Sequence, residues 1–217
     1  MVEAKEQRKV KVHTVYKNAA GKRLPSVTTI LGILNKPALI HWAWDLGTQG
    51  LDYRSVRDDA AGVGTLAHYL IMCDLNGETP DTSEYSAQDI DRAENCLIKY
   101  WDWKSQHNLQ AKFTEHPLVS EKHGYGGTID CIAEVGGEIW LVDYKTGKAI
   151  YIEMIYQLAA YRELIREAGW EVDQCRILRI GRDDTEGFEE KQFTNLDKAF
   201  ELFLHCKEIY NLKKEVK

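Results

Sequence analysis

The stretch TIDCIAEVGGEIWLVDYK, Thr128–Lys145, decides how the chain is read. Two apolar-rich runs flank Gly136-Gly137, and a Gly-Gly pair in that setting marks a two-residue hairpin, because the favoured tight turn needs positive φ at its centre. Strands are expected over Thr128–Val135 and Glu138–Tyr144. With the turn centred there, Val135 pairs with Glu138 and Glu134 with Ile139. The same count, carried outward, sets Asp130 opposite Asp143. The period of two along a strand then places both carboxylates and Lys145 on one face. Like charges directly opposite one another destabilise a sheet, so a shared proton or a cation is needed to offset them. A hard divalent ion such as Mg²⁺ takes one or two carboxylates and fills its other positions with water and substrate phosphate. Such an ion lowers the pKa of a bound water and neutralises charge on a phosphoryl group in transfer. Lys145 beside it would orient the attacking water and stabilise developing negative charge. The plainer alternative is an exposed hairpin with ordinary surface charges; the facing aspartate is what lifts this DxK triplet above it.

Outward from the hairpin, Phe113–Ser120 reads as extended, and Ile150–Ala168 as a helix stopped by Gly169 at its C′ position. Gln174–Ile180 and Phe188–Phe193 read as strands, and Leu196 opens a closing helix. Upstream, Val10–Tyr16 reads as a short strand, followed by a turn over Asn18–Gly21. Ser26 is the expected N-cap of a helix carrying Val27, Ile30, Leu31 and Leu34. Pro37 starts another with Trp42 and Trp44, and a third spans about Val63–Leu75 with Leu66, Leu70 and Ile71 at helical spacing. After a loop over Gly77–Ser83, Ser86 caps a long helix to about His107, with Ile90, Ala93, Leu97 and Trp101 on one stripe. The order is helices, then β-β-β-α-β-β-α, which is an α/β or α+β core with a helical N-terminal elaboration. One domain is expected over 1–217, mainly helical over 1–110 and sheet-based over 111–217.

Composition narrows the class. The chain has 217 residues, 44% of them apolar and 29% charged, enough to bury a core without disulfides or structural metal. Its five cysteines are odd in number and none shares a CxxC spacing, so neither a zinc knuckle nor a disulfide framework is suggested. A reducing compartment follows. Met1–Lys11 is charged and holds no signal peptide, and no run approaches the ~18 apolar residues of a membrane helix. The expected location is cytoplasmic, with no membrane partner. A formal net charge of −6 argues against a protein that coats nucleic acid by charge alone. It leaves room for an enzyme that gathers carboxylates around a metal.

Several motifs together carry a family resemblance. GTID, ending at Asp130, is followed by DYKTG from Asp143 to Gly147 and by Gln157 to Tyr161. Upstream lie GTLAH, Gly64–His68, and PSVTTIL, Pro25–Leu31. This series, over roughly residues 25 to 165, resembles the PD-(D/E)XK nuclease superfamily, in particular its RecB-like branch with bacteriophage exonucleases and mitochondrial single-strand exonucleases. The resemblance implies a central mixed β-sheet flanked by helices, with a restriction-endonuclease-like core. It also implies hydrolysis of phosphodiester bonds in DNA with Mg²⁺ or Mn²⁺, on single-stranded or end-bearing substrate, in a bacterial or phage-infected cell. Asp130 and Asp143 then match the metal-binding carboxylates and Lys145 the catalytic lysine. His68 of the GxxxH segment matches a helix-borne metal ligand, and the backbone carbonyl of Tyr144 a further one. Gln157 matches the glutamine of the following helix, with Tyr161 one turn on. Both are expected to touch DNA or to orient Lys145. Glu115 is a candidate acidic residue reaching the metal, although Glu121 is not separated from it by spacing. Members with an iron–sulfur cluster have three closely spaced cysteines near the C-terminus; here only Cys175 and Cys206 follow the nuclease motif, and no iron–sulfur cluster is expected.

The remaining expectations concern DNA contacts. Ser26 of the PSVT segment, Tyr161, Lys148 and Arg162 are candidates, the last two within a basic series that continues through Arg166, Arg176, Arg179 and Arg182. A solvated face is the plainer reading of such charges. Trp42, Trp44, Trp101 and Trp103 are read as core by default, with one of Trp42 and Trp44 buried and the other presented; stacking on unpaired bases is the alternative.

Overall fold

The computed structural model describes residues 14–216. The element order is α1 (Val27–Leu31), α2 (Pro37–Thr48), α3 (Tyr53–Asn76), α4 (Ala87–Lys104), β1 (Leu109–Ser120), β2 (Tyr125–Val135), β3 (Glu138–Thr146), α5 (Ile152–Glu167), β4 (Gln174–Ile180), β5 (Phe188–Phe193) and α6 (Asp197–Glu215). The strands form one mixed sheet in chain order, β1-β2-β3-β4-β5. Only β3 and β4 run parallel, and α5 makes the crossover that a parallel pair requires. The expected fold, a central mixed sheet flanked by helices, is the one observed.

Each face of the sheet has its own core. On one side α1, α5 and α6 pack Val27, Ile30, Leu158, Leu164, Ile165 and Phe203 against Ile132, Leu141 and Ile177. On the other, α3 and α4 pack Leu66, Leu70, Ile71, Cys96 and Tyr100 against Ala133, Val142 and Leu178. Burial on both faces explains why β3 and β4 read as nearly continuous apolar runs rather than alternating ones.

Local chemistry sets the element ends. Ser26 caps α1 by accepting from Thr29 N–H, and Ser86 caps α4 by accepting from Asp89 N–H. Helix α5 closes through Gly169 at φ 90°, with Gly169 N–H donating to Arg166 and Trp170 N–H to Ile165, the paired bonds of a Schellman motif. Helix α1 ends at Leu31, so Leu34 lies beyond it. Helix α3 starts ten residues earlier than expected: Asp52 caps it, and its first turns, otherwise exposed and rich in charge, carry only a sparse stripe of half-buried Tyr53, Val56 and Ala60. The turn at Asn18–Gly21 forms, with Gly21 at φ 78°. Of the strand expected over Val10–Tyr16, residues 10–13 lie outside the described residues. Thr14–Tyr16 belong to no strand and precede an isolated bridge between Lys17 and Arg23. Helix α2 buries none of its residues; Trp42 is half-buried, whereas Trp44 is 68% exposed. Trp103 is buried and Trp101 exposed.

The Gly136-Gly137 turn forms with both glycines at positive φ, and the register beside it is the one counted from the sequence, Val135↔Glu138 through Cys131↔Val142. The ladder ends there, one pair short of Asp130 and Asp143. The cause is a slip in the alternation of β2. Gly127 abuts Tyr161 and Leu164 of α5, and Tyr125 and Ile129 lie in the same core, whereas Cys131 and Ala133 lie in the opposite one. The side switches at Asp130. The facing strand changes at the matching place, where Glu115 takes φ 46° and drops out of the ladder between Thr114↔Cys131 and His116↔Ile129. A left-handed non-glycine residue inside a strand is an uncommon, strained conformation. Here it turns one carboxylate toward another.

Candidate active site

The slip gathers side chains from α3, β1 and β2. His68, Glu115 and Asp130 each offer a ligand atom, and the three lie within 4.8 Å of one another. His68 Nδ1 is 3.7 Å from Asp130 Oδ1 and 3.8 Å from Glu115 Oε1. Asp130 replaces the lost ladder pairing: its Oδ2 accepts the Tyr144 N–H at 2.8 Å, bridging the gap where β2 and β3 part. His68 reaches the cluster because Gly64, one turn earlier, lets α3 dock on the end of β3. A Cβ at Gly64 would stand 2.6 Å from Thr146 Oγ1. The His68 ring meets Tyr144 edge-on at 5.9 Å, which fixes its orientation.

Asp143 and Lys145 lie beside this trio. Asp143 is 0% exposed, and neither of its oxygens accepts a hydrogen bond of good geometry. The Lys145 ammonium abuts its Oδ2. Burial, outweighing that ammonium and reinforced by the charge of Asp130, pushes the Asp143 carboxyl up to about 6. Asp130 is also raised, by burial above all, against the cations His68 and Lys145. Burial alone would discharge Lys145, but Asp143 and Asp130 hold its ammonium above the ordinary lysine range. His68 behaves likewise: burial opposes its charge, and Asp130 with Glu115 more than restores it. Each group is held by its neighbours in a charge state that burial disfavours.

Such a set fits a divalent cation. An imidazole and carboxylates at this spacing form a mixed nitrogen and oxygen donor set, and a buried aspartate with two unsatisfied oxygens is what a bound ion would satisfy. Asp143 lies beside the tight trio and is not a member of it.

The other expected site residues divide. Gln157 Nε2 donates to the Tyr161 hydroxyl at 2.8 Å, and Tyr161 is influenced by the charges of Asp143 and Asp130. Tyr161 itself is only 5% exposed, its ring flat against Gly127, so a direct DNA contact is corrected to a buried support for Gln157. Arg162 is also 5% exposed, and its guanidinium is held by Glu163 and by Asp197 of α6, which removes it from any DNA-facing surface. The rest of the basic series is paired with acidic neighbours: Arg166 with Glu163, Arg176 with Glu190, Arg179 with Glu189 and Arg182 with Glu186. Lys148 is exposed in the turn between β3 and α5. Ser26 is occupied as a helix cap, its Oγ also bonded to Thr28 and Thr29. Glu121, the rival to Glu115, accepts Ala19 N–H at 2.7 Å away from the cluster.

Sequence reasoning passed over Thr146 and Tyr16. Thr146 follows directly on DYK, and its contact with the glycine of GxxxH is visible only once α3 is docked. Tyr16 packs on Gly126 and hydrogen-bonds Thr128 at 2.7 Å, two residues from Asp130. The adjacent glycines at 126 and 127 were the signal for both ring contacts. The five cysteines are all free and buried. Among the described residues no helix is long and apolar enough to cross a membrane.

No protein-family model matches the chain, and no curated protein matches it. Among solved structures the chain is similar to SSO0001, with 18% identity over 58% of this chain and 64% of that one, at a TM-score of 0.35. It is similar to a provisionally assigned exonuclease from Eubacterium rectale, with 13% identity over 70% of this chain and 65% of that one, at 0.49. It is also similar to an alkaline exonuclease from Laribacter hongkongensis, with 14% identity over 69% and 82%, at 0.36. The chain spans a little under two thirds of the length of the first two.

Proposed function

We propose that this chain is a divalent-metal-dependent nuclease that hydrolyses phosphodiester bonds in DNA, an exonuclease of the RecB-like kind acting on single-stranded or end-bearing strands. One observation carries the reading: a fully buried aspartate met by the Lys145 ammonium, beside a His68–Glu115–Asp130 trio. A cluster so rich in carboxylate makes little sense as a purely structural feature, since burying charge is costly even when it is paired.

Asp130, Glu115 and His68 would hold the ion, with Asp143 on its buried side. Bound there, Mg²⁺ or Mn²⁺ supplies Lewis acidity toward a phosphoryl oxygen and a water of lowered pKa. An imidazole in the set favours Mn²⁺ over Mg²⁺. The chain's own residues do the rest. Asp130 fixes the end of β3 through the Tyr144 N–H, which holds the adjacent Lys145 in place. The Lys145 ammonium, kept charged by Asp143, faces the place where negative charge grows as water attacks phosphorus. Gln157 is anchored by Tyr161, leaving its carbonyl free to orient that ammonium or a water.

The test is incubation of end-labelled single- and double-stranded DNA with Mg²⁺, Mn²⁺ or chelator, with product lengths resolved over time. Shortening that needs the ion, and that spares closed circles, is expected. Cutting of circles would make the protein an endonuclease. DNA retarded on a gel yet never shortened with either ion would replace the enzyme by a binding module.

A further inference from the structure

We infer that Tyr16 and Thr128 form a hydroxyl pair that donates a hydrogen bond to a phosphate of the bound nucleic-acid strand, on the β2 side of the candidate metal cluster. The inference rests on the nuclease reading and adds to it a substrate contact made by residues far apart in the chain.

Three observations place the pair. Thr128 and Asp130 are two residues apart on β2, and the residue between them, Ile129, lies in the core on the α5 side. Thr128 therefore stands away from α5, and Asp130, where the alternation switches, reaches His68 of α3 at 3.7 Å. Tyr16 joins Thr128 there: its ring lies flat on Gly126, whose missing side chain makes room for it. The Tyr16 loop is pinned in place, with Leu24 N–H donating to Tyr16 O at 2.9 Å and Gly126 N–H to Pro25 O at 3.0 Å. Glu115 of the trio is close enough for its charge to act on the Tyr16 phenol.

The chemistry follows from counting protons. The Tyr16 and Thr128 hydroxyls lie 2.7 Å apart, and Thr14 adds a third hydroxyl on Tyr16; three hydroxyls joined by two hydrogen bonds carry three protons, so one remains to donate outward. Both residues are half-buried, neither sealed in the core nor free in solvent. Burial, together with Glu115, raises the phenol above its ordinary range, so at neutral pH it carries its proton. Glu115 is placed among the residues that would hold the ion, so it is not counted as the acceptor of that proton. A neutral donor beside a cluster of carboxylates can hold a phosphate without adding charge. That suits a chain whose arginines near the site are already paired.

The test uses Tyr16→Phe, Thr128→Val and the double variant in the full-length protein. Affinity for a labelled single-stranded oligonucleotide is read with Ca²⁺ in place of the catalytic ion, and kcat and KM are read with Mn²⁺. Each single variant is expected to weaken binding about tenfold, the scale of a hydrogen bond to a charged group. The double variant should lose little more, because the pair acts as a unit. KM rises and kcat holds, as for a contact made equally before and during reaction. The slope of affinity against salt stays unchanged, since no charge is removed. Tyr16→Phe keeps the ring on Gly126, so its melting temperature should match the parent's, whereas Tyr16→Ala loses ring and hydroxyl together and its difference from Tyr16→Phe reports the packing. Parental affinity and KM in both single variants, with the fold intact, would overturn the inference. A parent that never cuts with either ion defeats the nuclease reading instead, and the binding arm still decides the role of the pair.

Discussion

Asp143 governs what the site does at the scale of one residue. Its carboxyl binds a proton more tightly in the folded chain, at about 6, than at the ordinary 3.8. Such a group contributes stability below its unfolded value and loses it as pH rises through the folded one. In chelator, stability is expected to fall between about pH 4 and about pH 7, by on the order of 3 kcal/mol from this group. Asp130 and His68, both raised, act in the same direction. Asp143→Asn should therefore reduce the slope and raise stability at neutral pH without metal, while abolishing cleavage. Lys145→Ala should do the opposite to stability, leaving a buried carboxylate unpaired at a cost of about 3–5 kcal/mol. Urea unfolding over a pH series in chelator measures both; an Asn variant with the parent's full slope would show that the charge sits elsewhere.

Among the elements, α3 and the β2–β3 hairpin show best where sequence and structure meet. The Gly-Gly turn and five pairs of the register were legible because local chemistry alone decides them. The slip at Asp130 was not, since it depends on Glu115 of a third strand entering a left-handed conformation. His68 was legible through its GxxxH spacing, but the reason for that glycine was not. Gly64 sits inside a helix, where alanine would ordinarily gain about 1 kcal/mol. Here its Cβ would meet the hydroxyl of a stiff β-branched residue, Thr146. Gly64→Ala is therefore expected to tilt α3 away from β3, moving His68 and weakening Mn²⁺ affinity severalfold or more despite better helix propensity. Thr146→Ala in the same chain should restore it. Calorimetric titration of Mn²⁺ checks the pair, and a Gly64→Ala protein with parental affinity would reduce the glycine to a matter of packing. The arginines misled for a related reason: in sequence they read as a cationic run, and only the β4–β5 pairing shows Glu189 and Glu190 across from them.

Across the whole molecule, the two cores flank one sheet, and the cluster joins α3 from one side to strands backed by α5 on the other. An ion that binds only this assembled state stabilises it by mass action, by roughly 2.7 kcal/mol at a hundredfold excess over its Kd. Mn²⁺ is expected to raise the melting temperature by several degrees, and chelator to reverse it. His68→Ala and Asp130→Ala should each remove most of the rise. An equal rise in those variants would place the ion somewhere else. The strand order has a consequence of its own. Every neighbour in the sheet is also a neighbour in the chain, so the β2–β3 hairpin can zip outward from the Gly136-Gly137 bend with little loop closure, whereas the β3–β4 pair waits for the α5 crossover. After Val135–Glu138 and Glu134–Ile139, Ala133–Trp140 and Ile132–Leu141 meet and form a greasy clasp. The two aspartates meet only after it has closed, so their mutual repulsion is never faced by a naked ribbon and the nascent chain is spared its most hostile encounter until support has gathered around it.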